Sequence, residues 1–190
     1  MMKQFLKRFR LFDLMIITLA AALGIAVKAV ITPLTHIVTG PLYIPGGVVA
    51  GGVYMMFPVM AVSFTGIRGA AGLCGLCQGI LVLIAGSAGS HGVLSIPVYA
   101  LTGLSVDVIH LLLNHRGCCM LCCCFSGMAA NLTGMLITNL AFFRLPFTPL
   151  MLSLAAGALS GGLGGILAWA ITDSLLKYRV IYPGNRSDGR

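Results

Sequence analysis

The chain is almost continuously apolar except for one stretch, Lys28–Gly52, which reads KAVITPLTHIVTGPLYIPGGVVAGG. Its three prolines (Pro33, Pro41 and Pro45) each remove a backbone donor and restrict φ, so they disfavour an uninterrupted helix. Threonines, His36 and Tyr43 add polar side chains that hydrocarbon does not tolerate unpaired. We therefore predict a long, ordered loop at a membrane surface, folded as a lid over a small-molecule site.

The composition on both sides of this stretch predicts an integral membrane protein. Of the 190 residues, 58% are hydrophobic and only 8% are charged, whereas a soluble domain carries about a quarter charged residues. The length fits a single membrane domain. We expect a basic segment over residues 1–10, a helical bundle over residues 11–176 and a basic tail over residues 177–190.

The apolar segments predict an all-α fold of six transmembrane helices, each near the roughly 20 residues that cross a bilayer. The predicted spans are Leu11–Ile31, Gly46–Phe64, Ala70–Gly86, Val93–Leu113, Cys118–Leu140 and Leu150–Leu176. The long external loop falls between the first and second spans. An even number of spans places both termini on the same side of the membrane.

The basic residues predict which side that is. The formal charge is +8, and ten of the twelve lysines and arginines fall on the side of the termini when the six spans are threaded through a bilayer. The positive-inside rule then places both termini on the cytoplasmic side of a prokaryotic cell membrane. Because topology explains the basic excess, nucleic acid is not needed as a partner.

Small residues at a spacing of four mark the first span. They are Ala20, Ala22, Gly24 and Ala26. Such residues let two helix backbones approach closely in lipid. The pattern is typical of packing inside the bundle, and it also suits a strip on which another membrane protein docks.

No catalytic motif is present: the chain lacks H-E-x-x-H, G-x-S-x-G and a Walker A loop. Glutamate is absent and there are four aspartates. Five of the seven cysteines open the fifth span, where packing is the default interpretation. Cys119 and Cys122, and the pair Asp107 and His110, nevertheless leave open a membrane enzyme or metal-binding protein. We predict neither a cofactor nor a resident metal.

Isolated polar side chains at membrane depth are the best candidates for binding a ligand, because such groups usually face the bundle interior. Those that we expect beneath the external loops are His36, Tyr43, Gln78, His91, Tyr99, Asn131 and Asn139. For the amides, hydrogen bonding between helices is the alternative.

The layout resembles the substrate-binding S components of energy-coupling factor (ECF) vitamin transporters. Four short segments resemble the hydroxymethylpyrimidine/thiamine type in particular: Gln78–Leu81, Gly103–Asp107, Phe125–Met128 and Thr172–Leu175. The alanine pair Ala22-x-x-x-Ala26 resembles the alanine motif of the family's first helix.

This resemblance implies a protein that captures a vitamin-like molecule from outside and delivers it by docking on a transmembrane T subunit driven by two cytosolic ATPase subunits. Substrate is expected in the outer half of the bundle. Because the sequence provides no acid there, a neutral pyrimidine or another neutral molecule fits better than cationic thiamine. The alternatives are a secondary transporter or channel that works alone, and the membrane enzyme described above.

Overall fold

The computed structural model describes residues 10–39, 46–86, 92–113, 119–144 and 146–177. These residues form six α-helices: α1 Leu11–Thr39, α2 Gly46–Thr65, α3 Ala70–Ala85, α4 Ser95–Leu112, α5 Met120–Thr138 and α6 Phe147–Lys177. A 3-10 turn, Gly92–Leu94, leads into α4, and a π turn, Asn139–Phe143, extends α5. Four spans are long and apolar enough to cross a bilayer, whereas α2 and α3 provide the shorter apolar segments Ala50–Thr65 and Ala70–Ala85. The prediction of six helices fits this architecture.

The predicted loop between the first two spans is wrong at its first end. Helix α1 continues through Pro33 to Thr39, whereas α2 begins at Gly46, as predicted. In hydrocarbon an open backbone leaves many polar groups unpaired, whereas proline in a helix removes one donor. The hydroxyl of Thr35 also bonds within this turn, donating to the carbonyls of Ile31 (3.1 Å) and Thr32 (2.9 Å). Residues 40–45, with Pro41, Tyr43 and Pro45, lie outside the described residues.

The segment between the last two helices is shorter than predicted. We expected a loop from Ala141 to Pro149, but the π turn continues α5 to Phe143 and α6 begins at Phe147. Arg144 ends the turn in the left-handed region (φ 44°) and donates its backbone N–H to the carbonyl of Asn139 at 2.8 Å. Pro149 then lies in the first turn of α6, where the missing N–H has no helical acceptor in any case.

Large apolar side chains point outward and small ones inward. The most exposed of them on α1, α4 and α6 include Leu11 at 80%, Leu112 at 74% and Leu159 at 71%. Alanine, glycine, cysteine and serine fill much of the interior instead, as at Ala21, Ala71, Cys123 and Ser126, all 0% exposed or nearly so. This distribution suits a protein solvated by lipid, where close packing of backbones replaces hydrophobic exclusion.

Helix α2 lies at the centre and contacts each of the other five helices. Glycines bring the backbones together at several crossings. A Cβ at Gly52 of α2 would overlap the carbonyl of Ser160 in α6, and one at Gly127 of α5 would overlap the carbonyl of Gly161. In α3, Gly75 is equally close to the carbonyl of Tyr99 in α4. These contacts fix α2 against α6, α5 against α6 and α3 against α4.

Candidate substrate site

A lysine with two tyrosines lies inside the half of the bundle where α1 ends and α2 and α4 begin. The ammonium nitrogen of Lys28 is 5.1 Å from the ring centroid of Tyr99 and 5.8 Å from that of Tyr54. Both tyrosines are buried, at 4% and 8% exposure, while Lys28 is half-buried. The hydroxyl of Tyr54 donates to the carbonyl of Gly47 at 3.1 Å, which fixes its ring against the first turn of α2.

Gln78 of α3 supplies the neighbouring polar group. Gln78 is 0% exposed, and neither its Nε2 nor its Oε1 has a hydrogen-bond partner among the described residues. The amide lies against Gly24, where a Cβ would collide with Nε2 and would lie 3.2 Å from the ring of Phe57. Gly24 and Lys28 are four residues apart on α1, so they share one face about 6 Å apart.

A buried, unpaired glutamine is unusual because each unsatisfied amide group costs about 1–3 kcal/mol. Such groups in native proteins generally serve a ligand or an ordered water. Gly24 leaves room for the amide of Gln78, and Lys28 lies one turn closer to the C-terminal end of α1. The amide of Gln78 and the ammonium of Lys28 therefore approach the same region of the bundle interior. The arrangement can therefore offer two amide donors, an amide acceptor and a cation to a small molecule.

The other predicted amides are placed differently. Asn131 of α5 is 3% exposed and donates its amide to the carbonyl of Gly157 in α6 at 2.8 Å. It also fills the space over Gly51 of α2, where a Cβ would overlap Oδ1. Asn131 thus joins three helices. Asn139 opens the π turn at the end of α5 and is half-buried.

The side chains of three predicted binding residues lie outside the described structure. The backbone of His36 belongs to the C-terminal end of α1, and its side chain lies outside the described structure. Tyr43 and His91 fall in 40–45 and 87–91, which are also outside it. Of the predicted set, the described structure therefore brings Tyr99 and Gln78 to the same interior.

Sequence reasoning missed Lys28 and Tyr54. The sequence predicts Lys28 near the membrane edge, because the stretch that interrupts the apolar run begins there. The signal was present: Lys28 is the one charged residue between Asp13 and Arg68 in the printed sequence, and a charge inside a membrane span is a functional candidate. No comparable signal marks Tyr54, whose role depends on how α2 packs against α1.

Asp107 and His110 lie one turn apart near the C-terminal end of α4. Asp107 of α4 accepts hydrogen bonds from the backbone N–H groups of Gly69 (3.0 Å) and Gly72 (2.7 Å), at the start of α3. Its carboxylate therefore caps a helix N-terminus, a position that favours negative charge. His110, one turn later, is buried at 3% exposure.

The cysteines are packed as small apolar groups. Cys122 and Cys123 are buried, and the Cys123 sulfur lies 3.7 Å from the hydroxyl oxygen of Ser63. Among the described residues, no three histidines, cysteines or acids come together in a way that could hold a metal ion.

The small residues of α1 divide between two faces. Ala20 and Gly24 lie in the interior, whereas Ala22 and Ala26 are exposed on the outer surface of the bundle. Leu19 and Leu23 flank this surface at 63% and 48% exposure. A docking strip on α1 can therefore include Ala22 and Ala26, while Ala20 and Gly24 serve internal packing.

The chain is similar to a known protein family and to a solved structure. A family described as "ABC-type cobalt transport system, permease component" matches residues 13–133, which is more than half of the chain. The chain belongs to this family. A solved structure described as "Crystal structure of an S-component of ECF transporter" superposes with a TM-score of 0.75 at 17% identity, covering 91% of this chain and 88% of that one. No curated protein matches the chain.

Family and fold together are those of a transporter component and not of an enzyme family. The prediction of an ECF S-component-like, multi-pass membrane protein is confirmed at that level. At 17% identity the solved structure shows the shared fold alone. The hydroxymethylpyrimidine/thiamine subtype, the docking partners and the direction of the termini stay predictions.

Proposed function

We propose that this membrane protein is the substrate-binding subunit of an ECF-type importer, which captures a small vitamin or vitamin precursor from outside the cell. The observation that carries the proposal is Gln78, whose buried amide has no hydrogen-bond partner among the described residues and lies against Gly24, one turn of α1 from Lys28. A largely apolar cavity with a few convergent polar groups is the usual form of a small-molecule site.

For the substrate, the four short segments quoted above favour a hydroxymethylpyrimidine- or thiamine-like molecule. The positive charge of Lys28 in the interior distinguishes between these two molecules. A thiazolium cation would approach the ammonium of Lys28, and repulsion between like charges is strong where water is excluded. An uncharged pyrimidine would meet no such repulsion, and the amide of Gln78 offers both donors and an acceptor to ring nitrogens and an exocyclic amine.

Delivery would take place by docking on a T subunit coupled to two cytosolic ATPase subunits. The exposed pair Ala22 and Ala26 supports a docking surface on α1, because their small side chains let a partner helix approach. The leucines beside them would add contact area at the edges.

Cobalt is a second candidate substrate, because the family's description names it. A first-row divalent cation requires several nitrogen, oxygen or sulfur ligands in a defined geometry. The described residues assemble no group of three histidines, cysteines or acids, and the interior cation Lys28 repels a metal ion. The organic substrate is therefore favoured.

The test is to purify the full chain in mild detergent and to analyse its bound small molecules by mass spectrometry and its metals by elemental analysis. A stoichiometric vitamin-like molecule is the expected result. Stoichiometric cobalt in place of an organic molecule would establish the second candidate. An empty protein, with no thermal shift on adding candidate vitamins or Co²⁺, would contradict the binding-subunit proposal.

A transport assay then separates the importer from a transporter that works alone. Uptake into cells is expected to require co-expression of the T subunit and the ATPases and to stop when ATP is depleted. Uptake by this chain alone in proteoliposomes would establish the secondary transporter or channel instead.

A further inference from the structure

Among the residues that the structure describes, Lys28 has no counter-ion in the part of the bundle where it lies. The sequence contains four acids, and three of them belong to described helices. Asp13 lies in the first turn of α1, Asp107 caps the start of α3, and Asp173 lies in the last two turns of α6. All three are at the opposite end of the bundle from the Lys28 ammonium, because α1 runs about 25 Å from its start to Lys28.

The aromatic faces do not replace a counter-ion. Tyr54 and Tyr99 attract the ammonium through their ring quadrupoles at 5.8 and 5.1 Å. Such contacts offset only part of the cost of removing an ammonium from water. A lysine can also avoid this cost by extending to the membrane surface. Lys28 is instead half-buried with its nitrogen between two buried rings.

The neighbouring amide points to the same ligand region. Gln78 is fully buried without a hydrogen-bond partner among the described residues, and it lies against Gly24, one turn of α1 from Lys28. Its Nε2 group can donate two hydrogen bonds, and the Lys28 ammonium can donate three. Donors from two helices thus approach one interior volume, where an acceptor-rich anionic group would satisfy both.

We propose that the ligand bound by this site is an organic anion, whose carboxylate or phosphate group pairs with Lys28 while its remaining polar atoms bond to the amide of Gln78. This inference rests on the proposed function and narrows its substrate class. A neutral molecule avoids repulsion from Lys28 but leaves the ammonium without a counter-ion, which an anionic group supplies. A pyrimidine that carries an anionic group satisfies both arguments.

The experiment uses the full chain in detergent and an ultrafiltered extract of small molecules from the expression host's growth medium and cells. Ion exchange separates this extract into anionic, neutral and cationic fractions, and each is added to the protein in a thermal-unfolding assay. We expect the anionic fraction to raise the melting temperature. Phosphatase treatment of that fraction distinguishes a phosphate, for which the effect is lost, from a carboxylate, for which it persists.

Variants then connect the effect to the residue. For Lys28→Met, the amount of anionic fraction needed for half-maximal stabilisation should rise about a hundredfold or more, since a buried ion pair is lost. Lys28→Arg keeps the charge and should retain more of the response than Lys28→Met. Arg144→Gln removes the exposed positive charge after α5 and should respond as the unmodified protein does.

Each other outcome is decisive. Stabilisation by the neutral or cationic fraction alone would overturn the anionic ligand but keep the binding-subunit proposal. An unchanged response of Lys28→Met to the anionic fraction would overturn the role of Lys28. If no fraction stabilises the protein, the binding-subunit proposal fails, and this inference fails with it. Should Lys28→Met not fold, the fractions tested on the unmodified chain still decide the charge of the ligand.

Discussion

At the scale of single residues, the molecule separates polar groups that hold the fold from polar groups that are left for a ligand. Asn131 and Asp107 each bond to a neighbouring helix, at 2.8 Å and at 2.7–3.0 Å. Gln78 is buried as deeply, yet bonds to none of the described residues. Substitutions at the two kinds of position should therefore affect stability and binding in opposite ways.

Gln78→Leu should stabilise the empty protein and weaken ligand binding. Leucine has a similar volume and removes an amide whose unsatisfied burial costs about 1–3 kcal/mol. The loss of two or more hydrogen bonds to the ligand should reduce affinity about tenfold or more. Thermal unfolding with and without ligand measures both effects.

Thr102→Val is the matched control for this variant. The hydroxyl of Thr102 is buried and already donates to the carbonyl of Val98 at 2.7 Å. Its removal should lower the melting temperature slightly and leave affinity unchanged. A Gln78→Leu protein that is less stable than the parent and binds ligand normally would show that Gln78 is a packing residue.

Asp107→Ala should destabilise the protein while leaving ligand affinity intact. The N–H groups of Gly69 and Gly72 lose their acceptor, which should cost about 1–3 kcal/mol, or a few degrees in melting temperature for a chain of this length. Asp173→Ala, at an exposed position near the end of α6, should change little.

Thermal unfolding and ligand titration of both aspartate variants provide the measurement. A loss of ligand affinity in Asp107→Ala at unchanged stability would place Asp107 in the binding site and contradict its role as a helix cap. Equal destabilisation by both substitutions would indicate a general charge effect and no helix cap.

How far the sequence predicts the site depends on the residue. Gln78 could be identified because an amide in an apolar helix is conspicuous without any knowledge of packing, and Tyr99 because it lies near the start of the fourth predicted span, beneath a predicted external loop. Lys28 is missed because an end of the first span near Pro33 would place it at the membrane edge. Tyr54 could not be found, since a tyrosine is common in membrane helices and only the packing of α2 against α1 brings its ring near Lys28.

At the scale of elements, the sequence predicts the number of helices and the start of α1 well and the C-terminal end of α1 poorly. Long apolar runs determine where a helix must exist, because hydrocarbon demands a paired backbone. The same demand overrides the local preference of Pro33, so α1 continues to Thr39. Propensity rules derived from water therefore misplaced the boundary. Small-residue patterns in the sequence indicate where two helices can approach closely, but they do not indicate which helix each pattern contacts.

Gly161→Ala should disrupt the contact between α5 and α6, whereas the adjacent Gly162→Ala should be tolerated. A Cβ at Gly161 would overlap the backbone carbonyl of Gly127, which cannot move independently of its helix. At Gly162 the nearest atoms belong to the side chains of Met128 (3.2 Å) and Cys124 (3.3 Å), and methionine adapts readily.

Overpacking of this kind costs about 1–3 kcal/mol, so thermal unfolding should distinguish the two glycine variants by several degrees. Because the substitutions are identical and adjacent, helix propensity cancels between them. Equal melting temperatures would show that α5 and α6 are not in close backbone contact at Gly161.

Ala22→Trp and Ala26→Trp should weaken assembly with the T subunit and leave ligand binding unchanged. Both alanines are exposed on α1, so a bulky ring can be accommodated by lipid but not by a closely approaching partner helix. Co-purification of the T subunit and ATP-dependent uptake are the measurements.

The control for docking is Ala155→Trp, at an exposed position on α6, which should assemble normally. If Ala22→Trp and Ala26→Trp assemble as well as Ala155→Trp does, the docking surface lies elsewhere. Gly24→Ala differs again, because a Cβ there collides with the amide of Gln78, so it should weaken ligand binding.

At the scale of the whole molecule, orientation follows from charge. Arg144 follows α5 and Lys177 ends α6, so these exposed residues should emerge on opposite sides of the membrane. The basic excess predicts that Lys177 is cytoplasmic. Alkaline phosphatase fused after Arg144 should therefore be active, and a fusion after Lys177 inactive.

Green fluorescent protein fused at these two positions should give the complementary pattern, which controls for differences in expression. The reverse pattern would place the termini outside the cell. The candidate site would then open to the cytoplasm, which an importer's capture subunit cannot use.

The unequal lengths of the helices have a consequence for the surrounding lipid. At 1.5 Å per residue, α3 with its 16 residues measures about 24 Å and α6 with its 31 residues about 46 Å, on either side of a hydrocarbon thickness of about 30 Å. A bilayer of uniform thickness cannot match both, so it should thin beside α3 while α6 tilts or projects into the headgroups. The lipid around the protein should therefore be deformed. The free energy of this deformation depends on the length of the acyl chains and on the tilt of the protein in the bilayer.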